Sequence, residues 1–264
     1  MEAEKPAGEP PLLTMHGPVA TLTLQRPHLA NRLSLADLDI LLDLVQQVES
    51  NHDLRILRLR SLGKTFCSGF DLSAVGGAAH AAVARFEQLA NALAALRPLT
   101  VAQVQGGAYG GAVDLTLACD FRIGSKKCEM RVPAASLGLH FYPSGMARAV
   151  SRLGLPAARR LLLACDTPRG EELLRMGLLD RTVEPENLDA ETQAFCQHLA
   201  SLAPLAVLPM KQHLNRMAEA APSAWPASAW AAMRADMAAA LNSRDLQEGS
   251  LAWQERRPPQ FEGH

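Results

Sequence analysis

Nothing in this chain spells a metal or disulfide framework, a membrane span, a nucleic-acid surface or a phosphate loop. Its five cysteines (Cys67, Cys119, Cys128, Cys165 and Cys196) are odd in number, scattered and without a CxxC pair. That spacing excludes a disulfide or zinc scaffold and fits reduced thiols that pack as small hydrophobes, as expected in the cytoplasm. Lys and Arg total 26 against 27 Asp and Glu, a formal net charge of -1. No bulk attraction to nucleic acid or an anionic membrane follows from that balance. The alanine-rich runs are interrupted by Arg, Glu, Asp or Pro, so no stretch is predicted to span a bilayer. Residues 1–11 are polar and contain proline without an apolar segment, and read as a disordered leader rather than a targeting signal. No repeat occurs at solenoid periods. No Gly-Lys-Ser/Thr follows the glycines at 106–111, and G-x-G-x-x-G is not matched.

What is present suits one enzyme-sized domain. With 264 residues, 48% of them hydrophobic, the chain can bury a large core. Residues 12–15 and 19–24 flank a His16-Gly17-Pro18 turn and predict a hairpin. Ser34, with Asp37 three residues on, is placed as an N-cap for Leu38, Leu41, Leu42, Val45 and Val48 at helical spacing. Residues 54–59 alternate Leu or Ile with Arg, as a half-exposed strand would. Val83, Phe86, Leu89, Leu93 and Leu96 predict a helix that stops before Pro98. Residues 100–104 predict a strand, 111–119 a helix and 121–123 another strand. Beyond Leu155 the apolar spacing is mostly helical, broken at Pro168, Pro185, Pro204 and the Pro222/Pro226 pair. The order predicts an α/β core over 12–200 and a helical region over 201–264.

Two glycine-marked turns carry the chemistry. Residues 66–72 read Phe-Cys-Ser-Gly-Phe-Asp-Leu, and residues 104–115 read Val-Gln-Gly-Gly-Ala-Tyr-Gly-Gly-Ala-Val-Asp-Leu. Each follows an aliphatic run and precedes a helical pattern. Together they can aim two backbone N–H groups at one oxygen that becomes negative during a reaction. Gly110 and Gly111 permit close backbone approach, and a helix starting there adds its positive end. Asp114, three residues after Gly111, falls on the same helical face one turn further in. Two donors and one acid predict carbonyl chemistry with a proton transfer. The competing reading is a tight strand-to-helix turn with a structural acid in its first helical turn.

The ordered set of motifs resembles the crotonase superfamily, the enoyl-CoA hydratases, isomerases and related acyl-CoA enzymes. The likeness starts at Arg26-Pro27 and Asn31, takes in both turns, and is densest from Val104 to Ile123. It continues through Gly138, Gly145, Arg148 and Gly154, through Met176 to Asp180, and through Pro204 and Lys211. It ends with Asp245, Glu248-Gly249, Glu255 to Arg257, Pro259 and Phe261. The resemblance implies a spiral of repeated β-β-α units with a helical C-terminal part that packs over neighbouring subunits. It also implies a homotrimer, often paired into a hexamer, with Trp225, Trp230 and Trp253 supplying apolar bulk at that end. The implied ligand is an acyl-CoA thioester whose carbonyl oxygen takes hydrogen bonds from the N–H of Phe70 and Gly111. No metal is expected, and no cofactor beyond the coenzyme A of the substrate.

The acids depart from the family pattern. The resemblance implies two glutamates facing the substrate, and Asp114 and Ala134 occupy those positions. Alanine moves no proton, so hydration by paired carboxylates gives way to a one-acid proton shuttle, weak hydration or enolate-forming decarboxylation. Decarboxylation would follow the methylmalonyl-CoA decarboxylase type, and a catalytically weak acyl-CoA-binding subunit is the further alternative. His140, Phe141 and Tyr142 follow Gly138 where relatives shape the acyl pocket. His140 and Tyr142 are candidate proton carriers there, or a loop histidine and a pocket wall. Leu29, Ala30, Ser68, Asp71 and Leu72, with Gly110, Ala134 and Phe141, are the candidate contacts to substrate and coenzyme A. The lysine that the family places after Arg-Pro is His28 here. Arg256 and Arg257 are either phosphate contacts across a subunit boundary or a solvated basic end, and Tyr109 is a packing aromatic at the pocket edge.

Overall fold

The alternating residues of the first segment fold as a hairpin in the computed structural model, which describes residues 8–70, 79–223 and 226–262. Strand β1 (Leu12–His16) runs antiparallel to β2 (Val19–Leu24), and Gly17 turns between them with φ 56°. Ser34 then caps α1 (Leu35–Ser50). Its hydroxyl accepts the Asp37 N–H, and the Asp37 carboxylate accepts the Ser34 N–H, a reciprocal capping box. Leu38, Leu41, Val45 and Val48 lie on the buried face of that helix.

Strand β3 (Ile56–Ser61) follows, then α2 (Ala79–Ala95), β4 (Leu99–Val104), β5 (Gly107–Tyr109) and α3 (Gly111–Ala118). Next come β6 (Phe121–Ser125), β7 (Glu129–Arg131), α4 (Pro143–Leu162), α5 (Glu171–Arg175) and β8 (Arg181–Val183). Six strands form one sheet in the order β1-β2-β3-β4-β6-β8, parallel beyond the first hairpin. A second layer crosses their ends: Leu33 bridges Phe70, Cys67 bridges Ala108, and β5 pairs with β7. Each turn of the chain thus passes through the large sheet, then the small layer, then a helix. This is the spiral of β-β-α units that the resemblance implies. One large apolar core fills the space between the sheet and α1 to α4.

Strand β3 is not half-exposed as its alternation predicts. It lies inside the sheet, and Arg58 is buried with the rest. Arg58 donates to the Gln103 side chain on β4 and pairs with Asp189 at 2.5 Å. Asp189 belongs to α6 (Leu188–Ser201), which covers that face of the sheet with its own apolar cluster. A paired guanidinium is thereby accommodated where an unpaired one would be costly.

The C-terminal helices are α7 (Pro204–Ser223), α8 (Ala227–Leu241) and α9 (Arg244–Glu255). The buried Lys211 pins α7 to the sheet, donating to Pro98 O at 2.6 Å and pairing with Asp120 at 2.7 Å. Helix α9 returns onto the loop before α4. A Cβ on Gly249 would lie 2.5 Å from Leu137 O, so two backbones touch there and only glycine fits. No helix among the described residues is long and apolar enough to cross a membrane.

Candidate active site

The two glycine turns lie against each other. Phe66 and Cys67 donate their N–H groups to Gly107 O at 3.0 and 3.3 Å, and Tyr109 N–H donates to Cys67 O at 3.0 Å. Gly69 has φ 87°, and a Cβ there would sit 2.7 Å from Tyr109 O. Gly110, with φ 57°, donates to Arg131 O at 2.8 Å and starts α3 at Gly111. As the first residue of that helix, Gly111 has no intrahelical acceptor for its N–H. Neither the Phe70 nor the Gly111 N–H is used in the bonds that tie the turns together. Burial pushes the Cys67 and Cys119 thiols up to about 12, so both are protonated spectators beside the turns.

A cavity of about 130 Å³ opens beside these amides. Its walls include Ser68, Phe70, Gly110, Gly111, Ala134, His140, Phe141 and Tyr142, eight of the residues singled out from the sequence. Phe86 of α2 packs on Gly111 so closely that a Cβ there would lie 2.5 Å from its ring. Among the described residues the lining holds no Asp, Glu, Lys or Arg. Leu29 and Ala30 stand outside it, although Ala30 O accepts the Ser68 N–H at 2.9 Å and so braces the first turn. Asp71 and Leu72 lie outside the described residues. Leu241 of α8 adds one wall, and with Leu246, Val83, Leu139 and Met237 it forms a small cluster over the cavity.

Asp114 lies behind the cavity wall rather than in it. It is 1% exposed. Tyr142 donates its hydroxyl to Asp114 Oδ2 at 2.7 Å. Arg148 clasps the same carboxylate, Nε to Oδ1 at 2.9 Å and Nη2 to Oδ2 at 3.2 Å. Burial, and then the Asp114 charge, push the Tyr142 phenol well above its ordinary range, so the hydroxyl keeps its proton. The Tyr142 ring stacks on Phe141 with centroids 4.5 Å apart, and Gly145 leaves room for both.

Helix α4, which carries Arg148, is itself held in place. Glu87 of α2 accepts the Ser144 N–H at 3.3 Å and its hydroxyl at 2.8 Å, capping the helix start from outside. Arg234 of α8 pairs with Glu87 at 3.3 Å. His140 Nδ1 donates to Phe141 O at 2.7 Å, since a carbonyl can only accept. At the cavity edge Tyr109 donates to Glu129, which also pairs with Arg169 at 2.6 Å. Burial and the Glu129 carboxylate hold the Tyr109 phenol up at about 12.

Arg148 and the Leu241 wall were not recognisable as site residues from local sequence. Arg148 stands out only as part of a motif spacing, and Leu241 belongs to an alanine-rich helix with no local signal of its role. Among the described residues, an apolar cavity thus lies beside the amides of Phe70 and Gly111, with the buried Asp114 carboxylate behind one wall.

Comparisons with known proteins agree with this architecture. The profile of the enoyl-CoA hydratase/isomerase family matches residues 14–264. The short-chain-enoyl-CoA hydratase of Clostridium acetobutylicum is 29% identical over 210 residues, covering 78% of this chain and 80% of that protein. The human mitochondrial enoyl-CoA hydratase domain-containing protein 2 is 31% identical over 254 residues, covering 93% and 86%. The crystal structure of an enoyl-CoA hydratase from Mycobacterium avium subsp. paratuberculosis superposes with a TM-score of 0.84 at 25% identity, covering 96% of this chain and 99% of that one. With a family profile spanning nearly its whole length, the chain belongs to the enoyl-CoA hydratase/isomerase family.

Proposed function

We propose that the cavity takes the acyl group of an acyl-CoA thioester, with its carbonyl oxygen between the N–H groups of Phe70 and Gly111. Those donors stabilise the enolate formed when a proton leaves the neighbouring carbon, and Asp114 is the acid/base group behind the site. The observation that carries this reading is that, among the described residues, neither the Phe70 nor the Gly111 N–H has a backbone acceptor, and both residues line an apolar cavity. Each such donor contributes about 3–4 kcal/mol to the transition state. One carboxylate suits a proton shuttle, as in double-bond isomerisation, better than hydration. Decarboxylation would pass through the same enolate, but the described lining offers no Arg or Lys to a second substrate carboxylate. Mass spectrometry of products from a mixed acyl-CoA panel, run beside a thermal-shift screen of the same panel, tests the reading. Binding with turnover of at least one neutral acyl-CoA is expected, and no thermal response to any member would overturn it.

A second reading is favoured by one specific observation: both oxygens of Asp114 are already engaged by Arg148 and Tyr142. On that reading the chain is an acyl-CoA-binding subunit with little activity, and the panel gives binding without products. Ala134→Glu separates the two further. Ala134 sits in the cavity wall, so a carboxylate there restores a second acid, and hydration of crotonyl-CoA is expected to rise at least tenfold over the parent. An unchanged rate in a folded, ligand-binding variant would count against an enolate-competent site.

Assembly as a trimer or hexamer is part of the same proposal. Leu205, Met210, Leu214 and Met217 of α7 are all exposed, an apolar surface that suits burial against another copy. Light scattering is expected to give a trimer or a multiple of it, and a monomer at micromolar concentration would refute the assembly.

A further inference from the structure

We infer that Tyr142 is the group that meets the reacting carbon, that Asp114 acts through it, and that Arg148 is a positioning residue for the pair. The inference rests on the acyl-CoA reading above and adds the route of the proton. Asp114 is absent from the cavity wall, whereas Tyr142 forms part of it. The hydroxyl joins the two at 2.7 Å. Because a phenol has one proton and Tyr142 gives it to Asp114 Oδ2, the oxygen presents only lone pairs to anything else that approaches it. It can therefore accept a proton while passing its own to the carboxylate.

The step balances without any outside reactant. The C–H bond next to the thioester carbonyl breaks and its electron pair becomes the enolate, with charge on the oxygen held by the two amides. The proton joins Tyr142 Oη as the original phenol proton moves to Asp114 Oδ2, so no free phenolate forms. Reversal returns a proton to carbon. Arg148 fixes which carboxylate oxygen faces Tyr142 by holding both in a two-point clasp, and Asn91 Oδ1 accepts from Arg148 Nη2 at 3.0 Å to orient the guanidinium. The other acid nearby, Glu87, is engaged with Ser144 and Arg234. His140 also lines the cavity and is the alternative proton carrier that the test below must separate from Tyr142.

Exchange of the hydrogens next to the carbonyl of hexanoyl-CoA for deuterium in D₂O, followed by mass spectrometry, reads the step directly. Tyr142→Phe keeps the stacked ring and is expected to slow exchange by about 10²-fold or more, with hexanoyl-CoA affinity within about threefold of the parent. Arg148→Met is expected to slow exchange at least tenfold in the parent but to add nothing in an Asp114→Asn background, because it acts only through Asp114. Asn91→Ala, which merely loosens Arg148, replaces it if Arg148→Met does not fold, with a several-fold loss expected. Exchange at the parent rate in Tyr142→Phe, with loss in His140→Ala, would overturn the inference and leave the acyl-CoA reading intact. So would a full additive loss from Arg148→Met on top of Asp114→Asn, or binding with no exchange in the parent. Failure of hexanoyl-CoA and every other panel member to bind would instead sink the acyl-CoA reading and this inference with it.

Discussion

Asp114→Asn is expected to lower turnover of an acyl-CoA thioester by about 10²-fold or more while leaving ligand affinity within a few-fold. Asparagine keeps the shape and one acceptor for Tyr142, but it takes up no proton. Ligand contacts persist because Asp114 lies behind the wall, where among the described residues its side-chain hydrogen bonds go to Tyr142 and Arg148. Stability also falls. Arg148 is only 11% exposed at its side chain, and losing the opposite charge leaves a nearly buried cation, a change that costs about 3–5 kcal/mol in comparable pairs. Turnover and denaturation should therefore be measured on the same preparation, below the midpoint of the variant. Intact turnover in the folded variant would remove Asp114 from the mechanism.

Gly69→Ala is expected to be nearly as damaging, by a different cause. The residue holds φ 87°, a left-handed conformation costly for alanine, and its new Cβ would meet Tyr109 O at 2.7 Å. The obstruction is backbone, which cannot rotate away, so the first turn must move off the second. Strain of this kind costs about 1–3 kcal/mol, and a displacement near 1 Å of a donor costs about 10²-fold in rate. A lowered midpoint of unfolding together with a roughly 10²-fold drop in turnover is the expected pattern. A variant with the parent's rate would show that the spacing of the turns does not matter to the chemistry.

Short-range signals in the sequence carried the elements that hold these turns. The Ser34–Asp37 pair predicts its capping box because both partners lie within one helical turn. The paired glycines predict the start of α3 because no other residue suits the conformation of Gly110. Long-range pairing was not legible in the same way. Alternation along β3 marks Arg58 as solvent-facing, since its partners Gln103 and Asp189 are 45 and 131 residues away. The three-residue strands β5 and β7 are too short to show a period, so the second layer of the spiral came from family resemblance alone. Asp114 was legible as a candidate acid, but its engagement by Tyr142 and Arg148, 28 and 34 residues on, depends on how α4 crosses α3. The wall that Leu241 contributes depends on how α8 packs over α2 and α4, which only the folded backbone shows.

The central claim is that two amides from separate turns share one thioester oxygen. A crystal structure of the protein with hexanoyl-CoA tests it most directly. The account predicts the thioester oxygen within about 3.2 Å of both Phe70 N and Gly111 N, with the acyl chain beside Phe86, Ala134 and Tyr142. A bound thioester whose oxygen contacts neither amide, or an acyl chain lying outside that cavity, would contradict it.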